Sequence, residues 1–379
     1  MRAILLALLL TWTLTGCARA EDALTLQAVN VGKADALLLR SGGDTYLIDT
    51  GTEESWGRLS RALHSQGIDR LTGVIVTHTD GDHAGGAAAL AQSSMEVGTW
   101  YAARWYTCKE SKHPVIAAAA LRGQEVVWLS EGDVLPLDGG TLTVIGPTEE
   151  DPDKENNNSV VLLAERDGVR MLLAGDMEFP EEKLLLARQL IPACQVLKVG
   201  NHGEADATSP ALIDAVQPRL AVISTSTAEE PDTPSARVMK LLAVAGAQVW
   251  QTQDAEAGVL VTVSGGTAAA EYAPTPALPA PDTGMVITDK GEDDTIRLRN
   301  TSDRTIDLTD WFIRSERGGE IFVFPRGASA EPGQVITVVS QSSEGSGDYT
   351  WPDTKVWHKS KEDRAILCDR FGREMDDME

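Results

Sequence analysis

The chain has 379 residues, which is enough for two domains with sizeable hydrophobic cores. Hydrophobic residues make up 42% of it and charged residues 24%, as is usual for soluble globular proteins. The formal net charge of -24 opposes the long-range attraction of polyanions, although it leaves room for a local basic path. Beyond the N-terminal segment, no stretch is apolar over a length that would cross a bilayer, which argues against a transporter or channel.

The first residues have the pattern of an export signal. Arg2 precedes an apolar core at residues 4–10, which is too short for a stable membrane-spanning helix. The sequence L-T-G-C ending at Cys17 resembles a bacterial lipoprotein signal; an ordinary signal peptide cut near Ala18 or Ala20 is the alternative. We therefore expect a lipoprotein signal peptide at residues 1–17. The mature chain would be an exported bacterial protein, anchored to the membrane by a lipid on Cys17 or otherwise periplasmic or extracellular.

The three remaining cysteines are Cys108, Cys194 and Cys368. None has C-x-x-C spacing, so the sequence predicts neither a zinc finger nor a redox pair. A disulfide between Cys108 and Cys194 would suit an exported protein, and buried free thiols fit the sequence equally well.

The first predicted elements are three strands and a helix. Residues 24–31 alternate like a strand, and residues 36–39 and 45–48 flank a hairpin turn. Residues 55–66 then place Trp56, Leu59 and Leu63 at helical spacing. This order predicts a strand meander followed by an amphipathic helix.

Residues 71–86, LTGVIVTHTDGDHAGG, contain the strongest functional signal of the chain. The β-branched run at residues 74–76 predicts a buried strand, and His78, Asp80, Asp82 and His83 follow within six residues. Neutral imidazoles and ionised carboxylates are metal ligands at neutral pH. The alternative is a solvated loop. A metal-binding loop is the better interpretation, because four such side chains follow one buried strand and precede Gly-Gly.

The most aromatic and basic stretch near this motif is residues 100–128. Its aromatic rings and cations could hold a base or sugar, or the same side chains could pack on the neighbouring sheet. His113 precedes Pro114, which favours an extended or turn conformation, and we do not expect it to be a ligand. The aromatic and basic residues in question are Trp100, Tyr101, Arg104, Trp105, Tyr106, Lys109, Lys112 and Trp128.

Two further strands lead to a second acidic position. Residues 159–163 and 169–173 are predicted strands joined by a turn, after an acidic, Asn-rich loop at residues 149–158. Asp176 comes directly after the second strand and Gly175. It is placed either to reach the metal site or to cap a helix that begins near Pro180.

The rest of the first domain repeats this strand-to-loop pattern. A strand at residues 195–199 leads to Asn201 and His202, and strands at 220–224 and 248–252 flank a helix at 237–245.

Residues 269–284 are a Pro- and Ala-rich linker, expected to be extended and semi-rigid. Residues 285–373 contain short alternating strands separated by turns, which predicts a β-sandwich. Residues 374–379 are acidic and are expected to fray.

The motif H-x-D-x-D-H resembles the metallo-β-lactamase superfamily, whose usual signature is H-x-H-x-D-H. Asp80 at the third position makes it similar to the hydrolase domain of ComEC-type competence proteins. The resemblance extends to N-V-G-K-A-D, L-I-D-T-G, N-S-V-V-L and L-L-A-G-D-M. It implies an α/β fold, a metallo-β-lactamase αββα sandwich, over residues 22–268.

The resemblance also implies one or two divalent metal ions. One ion would take Asp82, His83, Asp176 and His202, and a second would take His78 and Asp80 and share Asp176. A site this rich in oxygen favours Mn²⁺ over Zn²⁺. The implied catalytic residues are Asp80, Asp82 and Asp176. Residues implied for substrate contact or for orienting the ligands are Lys33, Asp35, Asp49, Asn158, Ser159, Lys198 and Asn201.

Two positions depart from the family pattern. The family usually has His-His-Gly where this chain has Asn201-His202-Gly, and His-Pro-Ser where it has Thr233-Pro-Ser. The site is intact if the second histidine is the family's ligand and weakened if the first one is.

The implied reaction is hydrolysis of a phosphodiester, with DNA as the leading substrate. Two alternatives remain open, a hydrolase of a small ester, lactam or lactone, and a catalytically weak surface binding protein with a degenerate site.

Residues 285–373 resemble the lamin-tail domain through L-R-N-T, I-D-L-T-D-W, P-G and A-I-L-C-D. That resemblance implies an immunoglobulin-like fold and a role in tethering to a surface or ligand.

Overall fold

The computed structural model describes residues 23–291, 294–343, 345–358 and 360–378. The predicted signal peptide, including Cys17, lies outside these residues. None of the helices in the described ranges has the length and apolar character needed to cross a membrane.

The first sheet has eight strands in the order β15-β14-β1-β2-β3-β4-β5-β6. Strand β1 pairs with β2 and β14 in antiparallel fashion, whereas β3 to β6 run parallel. The strands are β1 Leu24–Ala28, β2 Leu37–Ser41, β3 Asp44–Ile48, β4 Arg70–Val76, β5 Glu96–Ala103, β6 Val126–Leu129, β14 Val259–Ser264 and β15 Thr267–Tyr272.

The second sheet has seven strands in the order β13-β12-β11-β10-β9-β8-β7, and β10 to β13 run parallel. Its strands are β7 Val134–Leu137, β8 Gly140–Gly146, β9 Val161–Arg166, β10 Val169–Leu173, β11 Val196–Lys198, β12 Leu220–Ile223 and β13 Gln248–Gln251. The predicted hairpins around residues 41–44 and 166–168 are both formed.

Helices cover the outer face of each sheet. The helices are α1 Trp56–Ser65, α2 Gly81–Ala84, α3 Ala87–Gln92, α4 Pro114–Leu121, α5 Phe179–Ala187, α6 Pro210–Val216 and α7 Ala236–Val244. One apolar cluster joins α1, α3 and α4 to the first sheet, a second lies between the sheets, and a third joins α5, α6 and α7 to the second sheet. These layers are the predicted αββα sandwich.

The alternation of side chains assigns each strand residue to a layer. In β4, Val74 and Val76 face the helices while Ile75 faces the second sheet. In α1, Trp56, Leu59 and Leu63 are buried, as their spacing predicts. The parallel strands β3 and β4 of one sheet and β10, β11 and β12 of the other end at the same edge of the sandwich, and the loops that follow them carry the candidate site.

The C-terminal domain is a β-sandwich with one apolar core. Its strands are β16 Met285–Lys290, β17 Thr295–Asn300, β18 Ile306–Asp307, β19 Phe312–Ser315, β20 Ile321–Val323, β21 Ser329–Ala330, β22 Val335–Ser340, β23 Tyr349–Trp351, β24 Ala365–Cys368 and β25 Glu374–Met378.

Two sequence predictions are wrong in this region. Residues 374–378 do not fray, because β25 pairs with β24 and this pairing satisfies its backbone groups. The predicted linker begins too early, since its first residues belong to β15, which pairs with β14. The segment without regular structure is 273–284.

The C-terminal domain packs directly on the helices of the first domain. Phe312, Ile366 and Cys368 belong to the same buried cluster as Trp56 and Leu59 of α1. The side chain of Gln92, the last residue of α3, donates to the carbonyl of Ile321 and accepts from the amide of Val323, so it continues the pairing of β20. The shared core fixes one domain against the other.

Polar contacts complete this interface. Asp310 is buried, and its carboxylate lies 2.8 Å from Nε2 of His64 and accepts from the amide and hydroxyl of Ser94, each at 2.5 Å. Burial raises the pKa of Asp310, but hydrogen bonds from His64 and Ser94 outweigh it and leave the pKa below its usual range.

Carboxylates from both domains also meet near the start of α1. Burial, followed by the charges of Asp353, Glu320 and Glu54, raises the pKa of Glu53 to about 8. A cleft of about 1140 Å³ between α1, β1 and the C-terminal domain lies beside this interface.

Candidate metal centre

The loop after β4 is held by its neighbours through the backbone. The carbonyl of His83 accepts from the amide of Thr50 at 2.7 Å and from its hydroxyl at 3.0 Å. A Cβ atom on Gly86 would lie 2.3 Å from the carbonyl oxygen of Thr50. Gly86 therefore permits this close approach, and the short helix α2 presents Asp82 and His83 at the edge of the sandwich.

Four side chains from three loops meet at this edge. Nε2 of His83 lies 3.2 Å from Nε2 of His202 and 3.1 Å from Oδ2 of Asp176. Nε2 of His202 lies 3.4 Å from the same Asp176 oxygen and 3.5 Å from Oδ2 of Asp82. One ligand atom from each of these residues lies within 4.8 Å of the others. His83, His202 and Asp176 are buried, and Asp82 is partly exposed.

Neighbouring groups orient the two imidazoles. Oδ2 of Asp49 lies 2.8 Å from Nδ1 of His83, and the carbonyl of Ser224 lies 2.9 Å from Nδ1 of His202. Because both oxygens can only accept, each Nδ1 carries the proton and donates it. Each Nε2 therefore points into the cluster with its lone pair available for a metal, as is typical of metal-binding histidines.

The electrostatics of the cluster favour a cation. Burial lowers the pKa of His83, but the carboxylates of Asp176 and Asp49 outweigh it and raise that pKa well above its ordinary value. Burial also opposes protonation of His202, yet Asp176 and Asp82 raise its pKa to about 9. Two protonated Nε2 atoms 3.2 Å apart would repel each other, so one shared cation suits this site better than two protons.

The residues present fit a divalent metal ion. Ligands about 2.1 Å from a tetrahedral ion are about 3.4 Å apart, and the contacts among these four side chains span 3.1–3.5 Å. Oδ1 of Asp176 is buried and has no hydrogen-bond partner among the described residues. An unpaired buried carboxylate oxygen is costly, and a bound cation would remove that cost.

The predicted second metal position is less complete. His78 is buried beside His83, with ring centroids 4.1 Å apart, and its Nε2 lacks a hydrogen-bond partner among the described residues. Oδ2 of Asp80 lies 3.5 Å from that nitrogen, but the Asp80 side chain is half exposed. His78 and Asp80 are not in the compact four-residue cluster.

A buried ion pair supports the floor of the site. Nζ of Lys198 lies 2.8 Å from Oδ2 of Asp35, and both side chains are almost fully buried. Burial raises the pKa of Asp35, but Lys198, followed by His202 and His83, outweighs it and lowers the pKa. Lys198 therefore neutralises a carboxylate next to the two imidazoles and does not face solvent.

The mouth of the site on one side is mainly acidic. Nζ of Lys33 lies 3.3 Å from Asp82, 3.2 Å from Glu204 and 3.6 Å from Glu230. The carboxylate of Glu229 accepts from the backbone amide of Lys33 at 2.8 Å. Lys33 thus joins the cluster to three glutamates that sequence analysis did not single out.

The departures from the family pattern have different structural consequences. His202 enters the cluster, whereas the side-chain Nδ2 of Asn201 donates to the carboxylate of Asp206 at 3.2 Å. Both residues are in the left-handed region, with φ of 46° for Asn201 and 51° for His202, a conformation that Asn tolerates. Thr233 is buried and its carbonyl accepts from the hydroxyl of Thr225.

Of the predicted site residues Asn158 and Ser159, only Ser159 contacts the other side chains of the candidate site. Oγ of Ser159 accepts from the amide of Asp176 at 3.1 Å and lies 3.3 Å from Nδ1 of His78, so it contacts the site. The Asn158 side chain instead bonds to the backbone of Asp151 through both its oxygen and its nitrogen. Asp176 is not a helix cap, because α5 begins only at Phe179.

Thr77 and Glu155 are functional candidates that sequence analysis missed. The amide and hydroxyl of Thr77 donate to Asp49 at 2.7 and 2.8 Å. Glu155 accepts from Thr79 of the metal loop and from Thr107. Burial raises the pKa of Glu155, but these hydrogen bonds outweigh it and lower the pKa. Thr77 could have been found by its position directly before His78, whereas Glu155 lies in the acidic, Asn-rich segment 149–158, where nothing in the sequence distinguishes it from its neighbours.

The aromatic stretch divides between the two interpretations. Trp100 is fully buried and packs in the core, whereas Trp128 is 38% exposed and Tyr106 is half-buried.

The cysteines Cys108, Cys194 and Cys368 are free, so the Cys108–Cys194 disulfide is absent. Of these thiols, Cys194 and Cys368 are buried.

Comparisons with known proteins agree with this architecture. Residues 29–227 match the Metallo-beta-lactamase superfamily, and residues 280–379 match the Lamin Tail Domain. ComE operon protein 3 of Bacillus subtilis is 28% identical over 232 residues, covering 56% of this chain and 30% of that protein. Competence protein ComA of Neisseria gonorrhoeae is 26% identical over 236 residues, covering 61% of this chain and 31% of that protein.

Among solved structures, the metallo-beta-lactamase fold protein YhfI from Bacillus subtilis is 11% identical with a TM-score of 0.42, covering 64% of this chain and all of that one. This chain spans about a third of the length of the competence proteins it matches. The family match covers more than half of the chain and includes all four residues of the metal cluster. The protein belongs to the metallo-β-lactamase superfamily, in the branch of the ComEC-type competence proteins, and carries a C-terminal lamin tail domain.

Proposed function

We propose that this protein is a metal-dependent phosphodiesterase that hydrolyses DNA. The observation that carries the proposal is the compact cluster of Asp82, His83, Asp176 and His202, in which the imidazole lone pairs converge and one buried oxygen of Asp176 has no partner in the part of the chain that the structure describes. The superfamily fold supports a metal-dependent hydrolase in general. Similarity to two proteins named for competence supports DNA as the substrate.

The four cluster residues would hold one divalent ion, and His78 and Asp80 would contribute to a second. When bound, such ions supply Lewis acidity and activate water near neutral pH. The protein groups around them have separable tasks. Asp49 and the Ser224 carbonyl fix the tautomers of His83 and His202. The half-exposed carboxylate of Asp80 lies at the mouth, where it can orient water and accept its proton.

An acidic mouth favours a second candidate function. Glu204, Glu229 and Glu230 surround Lys33 on one side of the site, and their charge opposes a long polyanion approaching from that direction. A small neutral ester, lactam or lactone would meet no such opposition. Because His202 completes the four-residue cluster, a degenerate, non-catalytic site has less support than either hydrolase.

The proposed location follows from the sequence of the N-terminus. We propose that the protein is exported and anchored through a lipid on Cys17, which would place its substrate outside the cytoplasm. Metabolic labelling with a fatty-acid analogue, compared between the native protein and Cys17→Ala, tests this directly. Equal labelling of both proteins would refute lipidation at Cys17.

The function is tested by incubating the purified protein with linear DNA, with Mn²⁺, with Zn²⁺ and with a chelator. His83→Ala is the site variant, and His358→Ala is the matched control, because His358 is an exposed histidine of the C-terminal domain. Metal-dependent cleavage that is lost only in His83→Ala supports the proposal. If no metal supports cleavage, DNA hydrolysis is refuted, and turnover of neutral esters and lactams then tests the second candidate.

A further inference from the structure

The mouth of the site has a second wall, which differs in chemistry from the acidic one. It is formed by residues 104–112, which follow β5, and by β6. Arg104, Lys109 and Lys112 are exposed there, and none of them forms an ion pair with another described residue. With three cations and one exposed carboxylate, Glu110, this wall is less acidic than the side that carries Glu204, Glu229 and Glu230.

Glu155 attaches this wall to the metal loop. Its Oε1 accepts from the amide and hydroxyl of Thr79, at 2.9 and 2.6 Å, and Thr79 lies between His78 and Asp80. Its Oε2 accepts from the amide and hydroxyl of Thr107, at 2.6 and 2.7 Å. A single carboxylate therefore spans the distance between the metal motif and the loop, and four hydrogen bonds fix their separation.

An aromatic surface lies next to this attachment. The rings of Tyr106 and Trp128 are stacked, with centroids 5.5 Å apart and an interplanar angle of 25°. The buried ring of His113 contacts both of them edge-on, with centroids 4.6 and 5.4 Å away. Burial lowers the pKa of His113, so it braces the pair as a neutral ring. Trp128 remains 38% exposed although it contacts both of these rings, and tryptophan side chains in folded proteins are on average more buried than this.

We propose that Tyr106 and Trp128 form a stacking platform for a nucleobase of the phosphodiester substrate, positioned beside the metal loop by Glu155. The anionic chain of the substrate then leaves the site along Arg104, Lys109 and Lys112, because the opposite side of the mouth is acidic. Aromatic faces stack with any base, so the platform gives affinity for nucleotides without selecting a sequence. This inference rests on the proposed function for the reaction but adds the substrate group that the protein recognises.

The test compares two substrates with the same leaving group, the p-nitrophenyl ester of thymidine 5′-monophosphate and methyl p-nitrophenyl phosphate. The platform variant is Tyr106→Ala/Trp128→Ala. Its matched control is Tyr272→Ala, which removes an exposed tyrosine of a different aromatic pair. We expect the platform variant to lower kcat/KM for the thymidine ester by about tenfold or more and to leave the methyl ester unchanged. Tyr106→Phe/Trp128→Phe retains the rings and should retain the preference.

Glu155→Gln separates positioning from general damage. A glutamine side chain cannot accept from all four donors, so the loop is released while both platform rings remain. The ratio of kcat/KM for the two esters should fall toward that of the platform variant. Damage to the metal loop alone would lower both values equally and leave the ratio unchanged, which would refute the positioning role of Glu155.

A binding arm keeps this inference separate from the proposed function. Thymidine 5′-monophosphate and methyl phosphate are titrated into the Mn²⁺-treated protein and its platform variant by calorimetry. If neither ester is hydrolysed but the protein prefers the nucleotide and the variant does not, the proposed function fails and the platform stands. If the esters are hydrolysed and the variant keeps its preference for the thymidine ester, the platform is refuted and the proposed function stands. Equal binding of both ligands to the unaltered protein also refutes the platform.

Discussion

Asp49→Asn is the most direct test of the candidate metal centre. It changes which ring nitrogen of His83 carries the proton while leaving the size and shape of residue 49 almost unchanged. Oδ1 of Asp49 accepts from the amide of Thr77 at 2.7 Å, while Oδ2 accepts from the Thr77 hydroxyl and lies 2.8 Å from Nδ1 of His83. In the asparagine variant, the amide oxygen must face the backbone amide of Thr77, since that group can only donate. The new NH₂ group then faces Nδ1 of His83.

This rearrangement moves the proton of His83. Because Nδ1 must now accept, the proton shifts to Nε2, the atom that lies 3.2 Å from His202 and 3.1 Å from Asp176. A protonated Nε2 cannot be a metal ligand. Loss of such an orienting carboxylate typically lowers metal affinity 10–100-fold, which corresponds to about 1.4–2.7 kcal/mol of binding free energy.

The assay is competition between the protein and a chromophoric chelator for Mn²⁺ and Zn²⁺. Asp44→Asn is the matched control, because Asp44 begins β3, the strand that Asp49 follows, and accepts from Thr72 at the far end of the strand. Circular dichroism should show that both variants are folded. Metal affinity of Asp49→Asn within twofold of the unaltered protein would refute the proposed role of His83 as a ligand.

Three further predictions concern stability. Lys198→Met leaves the buried carboxylate of Asp35 unpaired and should cost about 3–5 kcal/mol in urea unfolding; Asp35→Asn/Lys198→Met should recover part of this, and an unaffected single variant would contradict the pairing. Because the pKa of Glu53 is raised to about 8, stability present at low pH is lost as pH rises through that value. Glu53→Gln should therefore raise Tm at pH 9 but not at pH 5, and an equal effect at both would contradict this. Asp310→Asn keeps a residue type that tolerates the φ of 62° but weakens the hydrogen bond from His64, so calorimetry should show that the free energy of unfolding falls by about 1.5–3 kcal/mol. An unchanged free energy of unfolding would refute the role of Asp310 in the domain interface.

Much of the first domain could be predicted because its strands are apolar and bounded by turns. The prediction for residues 169–173 coincides with β10, and the helix predicted from Trp56, Leu59 and Leu63 is α1. The loop positions of Asp82, His83 and Asp176 followed from strand ends alone, because parallel strands bring their carboxyl ends to one edge. The sequence analysis left β14 unassigned, although β14 alternates clearly, and it placed most of β15 in the linker.

Other features depend on contacts between distant parts of the chain. Lys198 read as a basic residue near the site, but the fold buries it against Asp35, 163 residues earlier. Glu155 lies in an acidic loop, and only the fold places it between two threonines. Residues 374–378 are acidic and unlike a strand in composition, yet pairing with β24 makes them one. Local pattern cannot supply such information, because tertiary pairing overrides propensity.

The contact between the two domains changes the significance of residues 273–284. Since α1, Phe312 and Ile366 share one core, the distance from the metal cluster to any surface of the C-terminal domain is set by packing and not by the connecting segment. A ligand held by the C-terminal domain would consequently lie at one fixed distance and orientation from the candidate metal centre.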